Sequence, residues 1–310
     1  MMPSISVVIP VFNSATYLDE AYNSVINQSF VDFECIFIYS NSEDNTLEKL
    51  ENYAKCDSRV KIVHSKKIGI SEALNLGVDS AKGIYVARMD ADDICEHNRF
   101  QEQFDLLEHT KADICGCSFE VINDIGKFLF IHTVPTSASN IRLYTCVGTP
   151  FAHPSVMFRR STFIKNNFRY GIGKYNLVED YDLWARMLSV DGIVAVNSNL
   201  SLLKYRLHEK SISTNKKISI ILQSHAISRD YFLANRHKLD KDFYSEKLND
   251  RDYDAMITYS LYSIIYNLKF HFWFRALVTM PINQLILYHI KFLIRKIKYI
   301  YSKSKTKAFL

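Results

Sequence analysis

A chain of 310 residues, 48% hydrophobic and 23% charged, is long enough to bury a large core and has the composition of an ordinary globular protein. That excludes a disordered chain and predicts one large domain with an appendage. The net charge of +5 is modest but uneven: no Asp or Glu follows Asp254 while Lys and Arg recur to the end, a pattern suited to an anionic surface, either lipid headgroups or nucleic acid.

Met1-Met2-Pro3-Ser4 leads straight into a short apolar run, without the charged region and long apolar stretch of a signal peptide. Ile5 to Pro10 is β-branched and apolar and reads as a buried strand, with Val11 to Ser14 as the loop after it. Helical spacing follows over Thr16–Asn27, then a strand over Phe33–Tyr39, a helix over Asn45–Ala54, a strand over Val60–Val63 and a helix over Ile70–Ala81. Gly83 breaks that helix, and Ile84 to Met89 is a fourth strand. Strands alternating with helices of about a dozen residues imply βαβ units and a parallel sheet covered by helices. Neither a dinucleotide glycine fingerprint nor a phosphate-loop lysine motif stands in the first turns, so a nucleotide would be held by loops and carboxylates.

The fourth strand runs into Ala87-Arg88-Met89-Asp90-Ala91-Asp92-Asp93. Three carboxylates in four residues repel one another unless a cation or polar ligand sits among them, and the C-terminal edge of an open α/β sheet is where ligands bind. This stretch reads either as a divalent-metal site on Asp92 and Asp90, shared with nucleotide phosphates, or as a solvated acidic loop ahead of the next helix. That helix covers Arg99 to about Glu108. Strands over Ile114–Val121 and Lys127–Thr133 are joined by the turn Asn123–Gly126, and Ser155 to Phe158 is another strand. A polar loop through Gly171 and Gly173 leads to Glu179-Asp180-Tyr181-Asp182 and a helix over Asp180–Val190. Acids in a first turn suit the helix dipole, the reading preferred for Asp182; Glu179 and Asp180 fall where their side chains can point into a cleft. Leu200 to Arg206 is a strand ending in Arg206-Leu207-His208, a pairing that suits phosphate and metal binding. The six cysteines (Cys35, Cys56, Cys95, Cys115, Cys117, Cys146) lack metal or redox spacing and read as reduced, mostly buried thiols.

Taken together, these marks resemble family 2 glycosyltransferases, the inverting enzymes with the GT-A fold: Val7 to Asn13, Ser24 to Phe30, Ser42 to Thr46, Ala87 to Asp93, His153 to Phe158, Glu179 to Trp184 and Tyr205 to His208. The resemblance runs from about Ser4 to His208. It implies an α/β GT-A fold, a Rossmann-like, mostly parallel sheet flanked by helices, with a catalytic domain over residues 1–210 and a helical extension over residues 211–310. It implies that Pro10, Val11, Asn13, Ser40, Asp44 and Gly69 line the nucleotide pocket together with Ile70 and Ser71, with Arg88 also on the donor. Asp90 and Asp92 match the family's DxD, contacting the ribose and a Mn2+ or Mg2+ ion bridged to the diphosphate. Asp180 matches the catalytic base, Glu179 positions the acceptor, His208 completes the metal shell and Arg206 lies near the diphosphate. One departure stands out: where the family carries two aspartates after the second strand, this chain has Tyr39 and Ser40, which loosens the link to a uridine nucleotide while leaving a UDP-sugar the favoured donor.

The tail from Lys269 is aromatic and basic, and Ala276 to Ile290 is too short and too interrupted to span a membrane. From Ile286 it becomes amphipathic, as in a helix lying in a membrane interface through residues 270–310, or one packed on the catalytic domain or a second subunit. It carries no nucleic-acid motif, and no nucleic-acid partner is expected. Ser211 to Lys217 is polar and reads as a linker, and beyond it the period is helical over Ile218–Asn235 and again over Asp252 to about Lys269. The resulting expectation is a cytoplasmic enzyme, peripheral at the inner face of the cell membrane, moving a sugar from a nucleotide donor to a glycan or lipid-linked glycan in bacterial surface-polysaccharide assembly. A sugar-phosphate nucleotidyltransferase and a non-catalytic binding module on the same fold are the alternatives.

Overall fold

The computed structural model describes residues 2–66, 69–173, 175, 177–208 and 217–245. The chain forms two compact units, one of Met1–Ala138 with Thr149–Ser211, the other of Ser139–Gly148 with Ile212–Leu310. The expected helix from Asp252 and the amphipathic tail lie outside the described residues.

The first unit opens with the alternating pattern: β1 (Ile5–Val11), α1 (Leu18–Ile26), β2 (Phe33–Tyr39), α2 (Thr46–Cys56), β3 (Val60–His64), α3 (Ile70–Ser80) and β4 (Tyr85–Arg88). β1, β2, β3 and β4 pair in parallel, with β1 central between β2 and β4. Nearly every residue of β1 and β2 is buried, because helices cover both faces of a parallel sheet. α3 lies so close to β1 that a Cβ on Gly77 would stand 2.2 Å from Val8 Cγ1; no other residue fits there.

Past β4 the sheet becomes mixed. It continues through β5 (Ile94–Cys95), α4 (Arg99–Thr110), β6 (Ile114–Ile122), β7 (Phe128–His132), a 3-10 turn over His153–Ser155, β8 (Met157–Arg159), α6 (Arg160–Lys165), α7 (Glu179–Ser189) and β9 (Ala195–Arg206), with α5 (Ala138–Tyr144) between β7 and the 3-10 turn. The strand order is β3-β2-β1-β4-β8-β6-β9-β5, with β7 beside β6. The core gathers between the sheet, α1, α2 and α4 around Phe37, Tyr85, Phe100 and Leu203.

Two elements differ from the pattern of the sequence. β9 begins at Ala195, five positions before the expected Leu200, because Asn197 breaks the apolar run without breaking the strand. Its buried amide donates to the carbonyls of Pro135 and Pro150 and accepts from Gly116 N, stitching three segments together. β5 is only two residues long, yet it pairs Ile94 with Lys204 and Cys95 with Leu203. That pairing carries the acidic stretch to the end of β9.

In the second unit, α8 (Lys217–Ser245) is longer than the expected Ile218–Asn235. Asn235 does not end it, since its side-chain amide turns back to the Tyr231 carbonyl. Asp242 and Arg142 of α5 form a bidentate ion pair at 2.5 and 2.6 Å. Among the described residues no helix is long and apolar enough to cross a membrane.

Candidate active site

β1 and β2 end side by side at Val11 and Tyr39, and β4 ends at Arg88, opposite Val8 of β1. The chain then passes through a turn at Ala91–Asp92 before β5. Met89, Ala91 and Asp93 are buried, whereas Asp90 and Asp92 are half-exposed. Ligand oxygens of Asp90, Asp92 and Asp93 all lie within 4.8 Å of one another.

Each acid of this triad has its own cation or donor. Asp90 receives a bidentate ion pair from Arg88, both contacts 2.6 Å. Arg88 is buried, and its carbonyl accepts from the fully buried Arg99 at 2.8 Å. Asp92 Oδ2 lies 2.8 Å from His208 Nε2. Asp93 Oδ1 accepts from Arg206 N at 2.8 Å, while its buried Oδ2 has no partner among the described residues. Burial first, then the neighbouring carboxylates, push the Asp93 carboxyl well above its usual range. Burial also raises Asp90, with Arg88 opposing and Asp92 adding to the rise. Three crowded oxygen donors, two of them reluctant to ionise and one with an unpaired buried oxygen, fit a hard divalent cation, which would repay both the repulsion and the orphaned atom.

α7 presents the second group of acids. Tyr181, Leu183, Trp184, Met187 and Leu188 bury its inner face, fixing Glu179 and Asp180 in the first turn. Burial, then the Asp180 charge, raises the Glu179 carboxyl to about 7. Burial raises Asp180 as well, and the Arg88 guanidinium pulls both acids back down. Asp180 in turn raises Asp90. The α7 acids, Asp90 and Arg88 therefore influence one another electrostatically. Asp182 differs from its neighbours: it is buried and ion-paired to Arg186 at 2.9 Å.

The loops expected to hold a nucleotide are tied to each other. Asn13, at φ +48°, donates from its backbone to Ser42 Oγ and accepts on Oδ1 from Glu43 N. Ser40 N donates to Val11 O at 3.0 Å, and Asp44 caps α2 through Thr46 N while also accepting from Ala15 N. Val11 is buried, so it offers the cleft only backbone, and Pro10 is half-buried. Gly69, at φ +141°, precedes α3 at a position where a Cβ would meet the Glu72 carboxylate at 2.5 Å. Tyr39 is buried, and its hydroxyl accepts from Ser42 N.

Arg206, expected near the diphosphate, has a side chain that is 1% exposed. Nε donates to Asp92 O, Nη1 to Asp124 O and Nη2 to Glu20 Oε2, at 2.9, 3.0 and 2.8 Å. Arg99, Glu20 and Tyr17 carry no functional expectation from sequence, yet they contact Arg88, Arg206 and His208. Arg99 carried a signal in principle, as an arginine at the start of an otherwise apolar inner helix face.

A mixed sheet of this order, with an acidic loop closing its fourth strand and a carboxylate pair opposite, is the GT-A arrangement of nucleotide-sugar glycosyltransferases. The chain belongs to glycosyltransferase family 2: residues 6–168 match the family profile described as "Glycosyl transferase family 2". Among curated relatives, the O-antigen biosynthesis glycosyltransferase WbnJ of Escherichia coli is 33% identical over 239 residues, covering 76% of this chain and 91% of that protein. The UDP-Glc:alpha-D-GlcNAc-diphosphoundecaprenol beta-1,3-glucosyltransferase WfgD of Escherichia coli is 26% identical over 243 residues, covering 74% and 91%. Among solved structures, the mannosyltransferase PcManGT of Pyrobaculum calidifontis in complex with GDP-Man and Mn2+ superposes with a TM-score of 0.57 at 13% identity, covering 98% of this chain and 84% of that one. That likeness is one of fold.

Proposed function

We propose that this glycosyltransferase transfers a sugar from a nucleotide-diphosphate donor to a hydroxyl of a glycan acceptor with inversion, in assembly of a bacterial surface polysaccharide. What supports this reading is the crowded triad on the β4 loop, whose ligand oxygens lie within 4.8 Å of one another, together with a second acidic pair, Glu179–Asp180, in the first turn of α7.

The reaction needs a leaving diphosphate stabilised and an acceptor hydroxyl deprotonated as it attacks. Asp92, Asp90 and His208 would hold the divalent ion, Mn2+ or Mg2+, which supplies Lewis-acid stabilisation of the leaving diphosphate when bound. Arg88 fixes the rotamer of Asp90 through two parallel hydrogen bonds, so that this carboxylate meets its ligand already oriented. Asp180 receives the proton of the attacking hydroxyl, and a raised carboxyl pKa makes it a stronger base than an exposed aspartate. Glu179 orients the acceptor. One displacement with one base inverts the anomeric centre. Asn13, Ser40, Asp44 and Gly69 line the nucleoside end, with Pro10 and Val11 contributing backbone.

UDP is the favoured nucleotide, in line with the donor in the name of WfgD. A lipid-linked diphosphate acceptor, of the kind in that same name, accords with the basic, aromatic residues 270–310 resting on an anionic membrane surface at the inner face of the cell membrane. Residues 1–210 carry catalysis and residues 211–310 the membrane contact. The test is transfer from UDP-sugars to a polyprenyl-diphosphate glycan with and without Mn2+. Metal-dependent inverted product supports the proposal; pyrophosphate release from a nucleoside triphosphate, with no sugar transfer, overturns it.

A further inference from the structure

Arg206 is fully buried, yet its partners come from three separate segments. Nη2 reaches Glu20 Oε2 in α1, Nη1 reaches the Asp124 carbonyl in the β6–β7 turn, and Nε reaches the Asp92 carbonyl in the acidic loop. Its backbone N–H holds Asp93 Oδ1. Two residues on, His208 meets the Asp92 carboxylate. Tyr17, just ahead of α1, packs against both: its ring lies 4.6 Å from the Arg206 guanidinium carbon, and its centroid is 5.3 Å from that of His208. The Tyr17 hydroxyl makes no hydrogen bond among the described residues, so the ring itself does the packing.

We propose that Tyr17 and Glu20 are positioning residues of the metal site, acting through Arg206 and His208 to set where Asp92 and Asp93 point. The inference rests on the metal-dependent reading given above and assigns no direct ligand contact to Arg206. Loop acids that repel one another hold a shape only if something pins them from behind. A planar guanidinium with three committed edges does this, whereas a lysine ammonium presents one point charge and cannot span all three segments. Glu20, itself exposed, neutralises the buried guanidinium and fixes its plane. The Tyr17 ring caps that plane and limits the tilt of the His208 imidazole. Groups of this kind, outside the ligands themselves, typically change metal affinity about 10- to 100-fold when removed.

The test uses the full chain with UDP and Mn2+, following free Mn2+ by electron paramagnetic resonance and folding by circular dichroism. Glu20→Gln, Tyr17→Leu and Arg206→Lys are expected to weaken Mn2+ binding about tenfold, by the same principle, with turnover restored at saturating Mn2+. Tyr17→Phe, which keeps the ring, is expected to match wild type. If Arg206→Lys does not fold, the two α1-side variants decide. Wild-type Mn2+ affinity in folded Glu20→Gln and Tyr17→Leu overturns the inference while leaving the proposed function standing. So does a UDP affinity measured without metal that falls in Arg206→Lys but not in Glu20→Gln, since that identifies a direct diphosphate contact. A wild-type protein that binds no Mn2+ in the presence of UDP overturns the proposed function itself, and this inference with it.

Discussion

The two groups of acids, on the β4 loop and at the start of α7, are held in different ways. Every carboxylate of the β4 loop is held by a partner: Asp90 by Arg88, Asp92 by His208 and Asp93 by the Arg206 backbone. Among the described residues Glu179 and Asp180 form no ion pair; backbone hydrogen bonds at the start of α7 and the Arg88 charge offset part of their burial. Burial, with no ion pair to offset it, raises the Glu179 carboxyl to about 7 and raises Asp180, the proposed base, in the same direction. Braced acids suit a fixed coordination geometry, and unbraced acids suit proton transfer. The same residue type thus serves two tasks because its surroundings differ.

The largest effect is expected where a group of each kind is removed. Asp180→Asn should lower turnover roughly 10²- to 10⁴-fold while leaving Mn2+-dependent UDP binding in place, as read by single-turnover kinetics beside calorimetry. Asp180→Asn losing binding and turnover together would erase the distinction between the two groups. Next comes the cation that both groups share. Arg88→Lys keeps a charge but not the bidentate pair on Asp90, and about a tenfold loss in Mn2+ affinity is expected; unchanged affinity would make that pair irrelevant to metal binding.

A pH series sharpens the contrast further. In the folded state Glu179 keeps its proton to about 7, whereas an unfolded chain releases it near the ordinary glutamate value of roughly 4.3. Between those limits the folded state binds more protons, so stability falls as pH rises from about 4.5 to about 7. Melting temperatures across that window should decline less steeply in Glu179→Gln than in wild type; identical slopes would show that Glu179 is not responsible. The smallest effect is expected at Tyr39. Tyr39→Phe removes the acceptor for Ser42 N and should cost about 1 kcal/mol of stability in urea unfolding, without moving nucleotide preference; a change of preferred base would place Tyr39 in direct contact with it.

Much of this division was legible in the chain itself. The alternation of β-branched runs with helical spacing reveals the parallel half of the sheet, and Asp90, Asp92 and Asp180 announce themselves through type and spacing. Other features are tertiary and leave little local trace. Asn197 looks like a strand breaker until its amide is seen joining Gly116, Pro135 and Pro150. Arg206 reads as a phosphate contact in sequence, where nothing shows that its guanidinium is buried and joins three segments. What reveals this is the company of Glu20 and Asp124, more than eighty positions away on the chain. Tyr17 carries no signal, since its role depends on the ring neighbours that β9 and its end bring to α1.

The most direct test of the two-group account is one calorimetric series: UDP titrated into wild type, Asp92→Asn and Asp180→Asn, each with and without Mn2+. The account predicts metal-dependent binding in wild type, the same binding in Asp180→Asn, and its loss in Asp92→Asn. Binding that ignores Mn2+ in wild type, or that survives unchanged in Asp92→Asn, would contradict it.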